Sequence, residues 1–428
     1  MVGADGNNLV LLLSTPRSGS SLATAMLQNH GKLFATQEMW FLMSLLELKS
    51  ARKRPYGGGA ILERFYNGVL PEEAFESACR SFALRVYNGL LGSGAAEMVI
   101  DKTPRYYGAL EFLDGLFPRS RRIWLLRNPF AVLASYKKLG SARGGSSDLE
   151  AMLAGFAFDL KAADLTVGLL RYMRYFSREE EPLAYRLRYE RLVADPRAEL
   201  AEVCRFLGTE YEEGMEKYGD RMDSPKAGLY YSMGVGDPFV AEHSAPHEDS
   251  VHAWKELLTK REIAAYGRLL GARLFAELGY GEELEQAEKL AGIRFDPEPD
   301  GAWMALRAKQ WMEATGFSWT ENYRMRTELA ASSEPAFAEF LESAESGEEE
   351  RGLYRDRSNP ADSETLQLRR TVQTLEQRLE KGLQEQKRLR SQLASMKRKA
   401  DWLKAAIPFG SRLSRLASSY MAGSGGKK

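Results

Sequence analysis

An apolar strand that ends abruptly in a hydroxyl- and glycine-rich turn, and resumes as a helix, constrains this chain more than any other feature. The segment is LVLLLSTPRSGSSLATAML, residues 9–27. Five apolar residues in a row suit a strand buried on both faces, as in a parallel sheet, and three- to four-residue apolar spacing after Ser20 suits a helix. Between them lies Thr15-Pro16-Arg17-Ser18-Gly19-Ser20-Ser21. Gly19 lets backbone approach a ligand closely, the serines supply hydroxyl donors, and a helix N-terminus presents backbone N–H groups where the dipole favours anions. Phosphate is the expected guest, and Arg17 adds a planar cation matched to its oxygens. A nucleoside-triphosphatase loop would need G-x-x-x-x-G-K-[ST], and this turn has neither the first glycine nor the lysine. Taken alone, the turn also fits an ordinary strand-to-helix connection capped by serines.

Short apolar runs alternate with helical patterns over roughly the first 280 residues, which predicts an α/β fold: a parallel sheet flanked by helices. Strands are expected at 8–14, 97–101, 122–126 and 183–188, with a short one at 33–38. Helices are expected at 20–28, 39–49, 130–138, 149–175 and 196–207. The strand ending at Leu126 runs into Arg127-Asn128-Pro129, and the next helix carries Ser135. An arginine at the carboxyl end of a parallel strand and a serine two turns into the following helix can converge on one anion, where open α/β sheets bind ligands. That is a second phosphate site.

The pair P-R-S-G-S-S and R-N-P-x-x-x-x-x-S, about 110 residues apart, resembles the two phosphate signatures of sulfotransferases that use 3′-phosphoadenosine 5′-phosphosulfate (PAPS). The likeness is to the largely bacterial branch related to carbohydrate and tyrosylprotein sulfotransferases, and it covers roughly residues 8–282. It implies a P-loop-like sheet, with Arg17, Ser18, Gly19, Ser20 and Ser21 on the 5′-phosphosulfate and Arg127 and Ser135 on the 3′-phosphate. Tyr189-Glu190-Arg191-Leu192 before Asp195-Pro196 is similar to the family's Y-E-x-L…DP element, which puts Tyr189 beside the adenine. Trp254-Lys255 resembles the late segment that closes over the nucleotide. Asp101-Lys102-Thr103-Pro104 resembles the [DE]-K-[ST]-P element, which implies that Lys102 supports the bridging oxygen or the acceptor, with Arg105, Tyr106 and Tyr107 lining the acceptor pocket. Glu38 ends the expected short strand beside the phosphate turn. In the related carbohydrate and tyrosylprotein enzymes a glutamate at this place is the general base, a role the resemblance assigns to Glu38. Arg17, Glu38 and Lys102 are thus the candidate catalytic groups, PAPS the donor and adenosine 3′,5′-bisphosphate the product.

The whole-chain balance of 59 basic against 59 acidic residues gives no field to attract nucleic acid, so an anion site must be local. Cys79 and Cys204 sit far apart in apolar helical contexts, against a disulfide framework or a cysteine metal site and in favour of a reducing compartment. His243, His247 and His252 read as loop histidines, and no metal is expected. No apolar run suits a signal peptide or a membrane span, so a cytoplasmic protein is expected, with peripheral contact at an inner membrane face as a further reading.

After residue 282 the pattern changes to an accessory helical region, 283–341, then an acidic linker, 342–363, then a basic segment, 364–428. Leu368, Val372, Leu375, Leu379, Leu389, Leu393, Met396, Ala400 and Leu403 keep a spacing of three and four, broken at Gly382 and Gln386 where the seam expects apolar residues, that predicts a coiled coil. Its basic, amphipathic end suits a homodimer, a partner in a biosynthetic complex, or an anionic membrane surface. The acceptor suggested by analogy is a glycan or lipid-linked sugar, taking sulfate on a hydroxyl or an amine. Two other classes stand beside this one. A P-loop kinase or nucleoside triphosphatase would have only Asp101 as a stand-in for its magnesium acid. A scaffold with a decayed catalytic domain is opposed by the presence of Arg17, Glu38, Lys102, Arg127 and Ser135.

Overall fold

The structure, a computed structural model, describes residues 1–35, 37–50, 57–92, 94–142, 148–178, 181–221 and 245–328. The expected acidic linker, coiled coil and amphipathic tail lie outside the described residues.

Among the described residues, five parallel strands form one sheet: β1 (Leu9–Leu13), β2 (Leu33–Ala35), β3 (Met98–Lys102), β4 (Arg121–Leu126) and β5 (Ala184–Arg188). Their order is β2-β3-β1-β4-β5. The central strand is buried at every residue, which is why its sequence is apolar without alternation. Leu9, Leu11 and Leu13 enter one core layer with Val99, Trp124 and Leu126. Val10 and Leu12 enter the other, with Ile100, Ile123 and Leu125, beneath α1 (Ser20–Leu27). The two-residue period of a strand makes this division, and it governs the chemistry at the end of β3. Asp101 leaves the sheet on the Leu9 side, whereas Lys102 leaves on the side of α1.

Register pairs Leu12 with Lys102, Leu13 with Trp124 and Leu126 with Arg188, so the carboxyl ends of β1, β3, β4 and β5 share one edge. Helix Pro196–Leu207 forms as expected, with the Asp195 side chain accepting from the Ala198 N–H, a proline in the first turn and Gly208 in the left-handed conformation after the last.

Three expected elements differ. The strand at 33–38 is hydrogen-bonded only over Leu33–Ala35. The helix at 39–49 is an α-helix only over Phe41–Leu46, followed by a 3₁₀ turn. The single helix at 149–175 is broken into Leu149–Ala154, Leu160–Ala163, a π turn and Leu169–Tyr175. Gly155 takes extended dihedrals, and the Asp159 carboxylate captures the Lys161 and Ala162 N–H groups, restarting the helix. Apolar periodicity persists across that break, so periodicity alone could not reveal it.

Residues beyond 282 complete the core. Helix Gly301–Thr315 lays Trp311 against Gly108, where a Cβ would lie 2.2 Å from the indole ring. The Trp311 indole N–H donates to Tyr107 Oη at 2.9 Å. Arg307 on the same helix donates to the carbonyls of Leu153 and Gly155, closing the break after Ala154. Further on, Tyr323 Oη and the Arg326 N–H donate to Asp114, which also pairs with the buried Arg122 at 2.7 Å.

Candidate active site

The turn after β1 owes its shape to two residues with positive φ. Arg17 (φ 70°) and Gly19 (φ 96°) swing the backbone so that α1 starts at Ser20. Gly19, at the cap position of α1, has no side chain with which to cap the helix, and the Thr15 and Ser18 hydroxyls bond to each other at 3.0 Å. Gly19 is required twice over. Its φ is left-handed, and a Cβ there would fall 2.4 Å from Cδ2 of Tyr189.

Arg17 Nε donates to Ser135 Oγ at 3.1 Å, and Arg127 Nη1 donates to the Arg17 carbonyl at 3.0 Å. Residues expected on opposite ends of a nucleotide are therefore in direct contact across β1 and β4. The Arg127 guanidinium also donates to the Ser250 carbonyl at 2.9 Å and covers the Tyr189 ring at 4.1 Å. Tyr189 Oη and Ser250 Oγ are 2.7 Å apart. The late segment thus reaches the site through Ser250. Trp254, in the late segment, is fully buried and stacked on Phe130 at 5.2 Å.

Lys102 emerges on the α1 face with its side chain wholly buried. A buried ammonium requires partners. Lys102 Nζ lies 3.2 Å from Glu38 Oε1 and 3.5 Å from Ser21 Oγ, joining the turn after β1, β3 and the segment after β2. The second carboxylate oxygen of Glu38 accepts from the Trp40 indole N–H at 2.9 Å. Glu38, Lys102 and Ser21 are therefore brought together, as are Arg17 with Ser135 and Arg127 with Tyr189.

Asp101, one residue earlier on the strand, sits on the other side of the sheet. Its Oδ2 accepts from Tyr87 Oη at 2.6 Å and Tyr106 Oη at 2.9 Å, and it is fully buried. Burial pushes its carboxyl up to about 6, against the pull of its hydroxyl donors and of Lys102. An acid so enclosed is unavailable to a metal ion. Among the described residues, no group of three His, Cys, Asp or Glu side chains could hold one.

Arg105, Tyr106 and Tyr107 were expected together in an acceptor pocket, but Tyr106 and Tyr107 are completely buried. Tyr107 (2.8 Å) and Tyr136 (2.9 Å) donate to Asp164, which also holds Arg105 through a two-pronged pair at 3.0 and 2.9 Å. Burial by itself would lower the Arg105 guanidinium. Asp164 outweighs it and keeps the group charged, above its ordinary range. Asp164 and Trp40 had no sequence signal beyond apolar helical surroundings, since neither lies in a recognisable motif.

Carboxylate, ammonium and hydroxyl meeting at the amino end of a helix can remove a proton from a nucleophile and neutralise charge on a leaving group. The sulfotransferase family pattern matches residues 10–213 of this chain. Nodulation protein NoeE of Sinorhizobium fredii is 31% identical over 296 residues, 67% of this chain and 68% of that protein. A Caenorhabditis briggsae protein provisionally named a protein-tyrosine sulfotransferase is 23% identical over 211 residues, 48% of this chain and 68% of that one. A solved sulfotransferase domain from the curacin biosynthetic pathway superposes with a TM-score of 0.40 at 22% identity, covering 67% of this chain and 98% of the other. Two thirds of the chain aligns with NoeE at 31% identity, and the family pattern runs from inside β1 to beyond β5; the chain belongs to the sulfotransferase family, and it is a sulfotransferase.

Proposed function

We propose that this sulfotransferase moves a sulfuryl group from PAPS to a hydroxyl, or an amine, of a carbohydrate or glycoconjugate by direct in-line transfer. The observation that carries the proposal is the meeting of Glu38, Lys102 and Ser21 at the mouth of the turn. The amino end of α1, with Arg17, Ser18, Gly19, Ser20 and Ser21, suits the 5′-phosphosulfate. Arg127 and Ser135 suit the 3′-phosphate, with Tyr189 beside the adenine. Glu38 takes the acceptor proton as the acceptor oxygen bonds to sulfur. The bond from sulfur to the bridging oxygen breaks, and Lys102 neutralises that oxygen as adenosine 3′,5′-bisphosphate leaves.

A sugar hydroxyl stays protonated at neutral pH and needs such a base, whereas a phenol ionises more readily and depends on it less. A base at Glu38 therefore suits a carbohydrate; a peptide tyrosine, the acceptor suggested by the C. briggsae relative's name, is the alternative that the transfer assay separates. Residues 1–282 form the catalytic unit of this proposal and the helices beyond 282 its support. The basic segment 364–428 would join two copies, a biosynthetic partner or a membrane surface. No helix among the described residues is long and apolar enough to cross a membrane.

The test is calorimetric titration with adenosine 3′,5′-bisphosphate, followed by transfer from radiolabelled PAPS to neutral oligosaccharides, simple alcohols and a tyrosine peptide. Binding that ATP does not match, weakened by Arg127→Ala and Ser135→Ala, with label on the oligosaccharides, is the expected result. Preference for ATP with magnesium would overturn the donor, and label on the peptide alone would overturn the acceptor class.

A further inference from the structure

Trp40 breaks two local rules at once. It occupies the residue before helix Phe41–Leu46, where Ser, Thr, Asp or Asn would ordinarily cap, and its side chain caps nothing. It also takes φ 59° and ψ −15°, a left-handed conformation that costs a bulky side chain about 1–2 kcal/mol. Such strain persists only where surrounding groups impose it, and it concentrates at functional sites.

Here the imposing groups are all at the candidate active site. The Trp40 backbone N–H donates to Thr103 Oγ1 at 3.2 Å, tying the residue to the turn that follows Lys102. The indole N–H donates to Glu38 Oε2 at 2.9 Å. The Arg105 guanidinium, locked by Asp164, lies 6.0 Å from the centre of the indole ring. The left-handed turn folds the chain back on itself, so that the indole reaches a carboxylate only two residues earlier. Extended or helical dihedrals at Trp40 would carry the ring away from Glu38.

We infer that Trp40 is a positioning residue for the Glu38 base: its indole N–H fixes one carboxylate oxygen while Lys102 faces the other, so the carboxylate cannot rotate away from the acceptor. The inference rests on the reading of Glu38 as the base. An indole suits the task because it donates a single hydrogen bond and accepts none, so it cannot compete for the acceptor's proton. A carboxylate held by one charged and one neutral donor is oriented without a second cation to neutralise it.

The experiment uses the full chain with Trp40→Phe, Glu38→Gln and the double variant. Turnover of PAPS is followed with a pool of neutral oligosaccharides as the acceptor probe, or with water when none accepts. Trp40→Phe keeps a ring and removes the donor. Loss of a hydrogen bond to a charged group corresponds to about a tenfold to hundredfold fall in kcat. The KM for PAPS and the affinity for adenosine 3′,5′-bisphosphate should stay within about twofold. In the Glu38→Gln background the same substitution should change kcat less than about twofold, because its effect passes through Glu38. Multiplicative losses in the double variant, or a Trp40→Phe variant with undiminished kcat, would overturn the inference. Unchanged turnover in Glu38→Gln would instead remove the base reading on which it stands. Should Trp40→Phe fold poorly, Trp40→His, which can keep a ring N–H donor, must restore turnover above Trp40→Ala at equal stability; failure to do so also overturns it.

Discussion

Gly19→Ala tests the shape of the turn after β1 against a number. The added methyl would lie 2.4 and 2.6 Å from Cδ2 and Cε2 of Tyr189, where carbon atoms need about 3.5–4 Å. One partner must move by more than about 1 Å. The ring cannot easily yield, because its hydroxyl is tied to Ser250 and the Arg127 guanidinium covers its face. Overpacking of this kind costs about 1–3 kcal/mol, and the left-handed φ adds about 1–2 kcal/mol, for a loss of about 2–5 kcal/mol. Gly214 supplies the control. Its φ is also left-handed, at 80°, but a Cβ there meets nothing within 4 Å, so Gly214→Ala should lose only the conformational part. Urea unfolding of both variants separates the two contributions, and titration with adenosine 3′,5′-bisphosphate shows whether the displaced ring disturbs the turn. A Gly19→Ala variant no less stable than Gly214→Ala, with undiminished affinity, would refute the reasoning.

Asp101→Asn should change how stability depends on pH. The folded carboxyl is raised to about 6 from an ordinary 3.8, so its contribution is fully present below about 3.8 and is lost as pH rises through about 6. Urea titrations across that range should show the stability of the wild type falling by about 3 kcal/mol relative to Asp101→Asn, and a constant difference would contradict the assignment. Trp311→Ala should cost about 3–5 kcal/mol by leaving a cavity over Gly108 and an unpartnered acceptor at the Tyr107 hydroxyl oxygen. Ending the chain after residue 282 should abolish cooperative unfolding by heat; a truncated chain that melts like the whole would show that the later helices are dispensable.

How far the sequence discloses this structure depends on how local each determinant is. Strands β1, β3 and β4 are legible because each carries a continuous apolar run, with turn-forming residues following as at Ser14 and Asn128. The turn at Arg17–Ser21 is legible because glycine, arginine and serines crowd one connection. Glu38 and Lys102 are legible only through resemblance. Nothing in their own neighbourhoods says that a residue after β2 and one ending β3 will meet at 3.2 Å. Trp40 is hidden because its role follows from a dihedral angle, and propensity would place it inside a helix. Asp164 is hidden for another reason: the four hydrogen bonds it accepts come from Arg105, Tyr107 and Tyr136, on two other segments.

Asp114 collects its partners from distant parts of the chain, and that sets a schedule for biosynthesis. Arg122 is eight residues away and Tyr175 lies 61 away, but Tyr323 and the Arg326 N–H are 209 and 212 residues downstream. At about 5–20 residues per second, the ribosome releases those last donors roughly ten to forty seconds after Asp114 itself. Throughout that interval the nascent sheet carries a carboxylate with half its hydrogen bonds unmade, and the surface later covered by Trp311 and Phe317 faces solvent. The protein can therefore complete its core only once residues 323–326 have emerged, and the unfinished domain is until then a natural client for whatever chaperone waits at the exit tunnel.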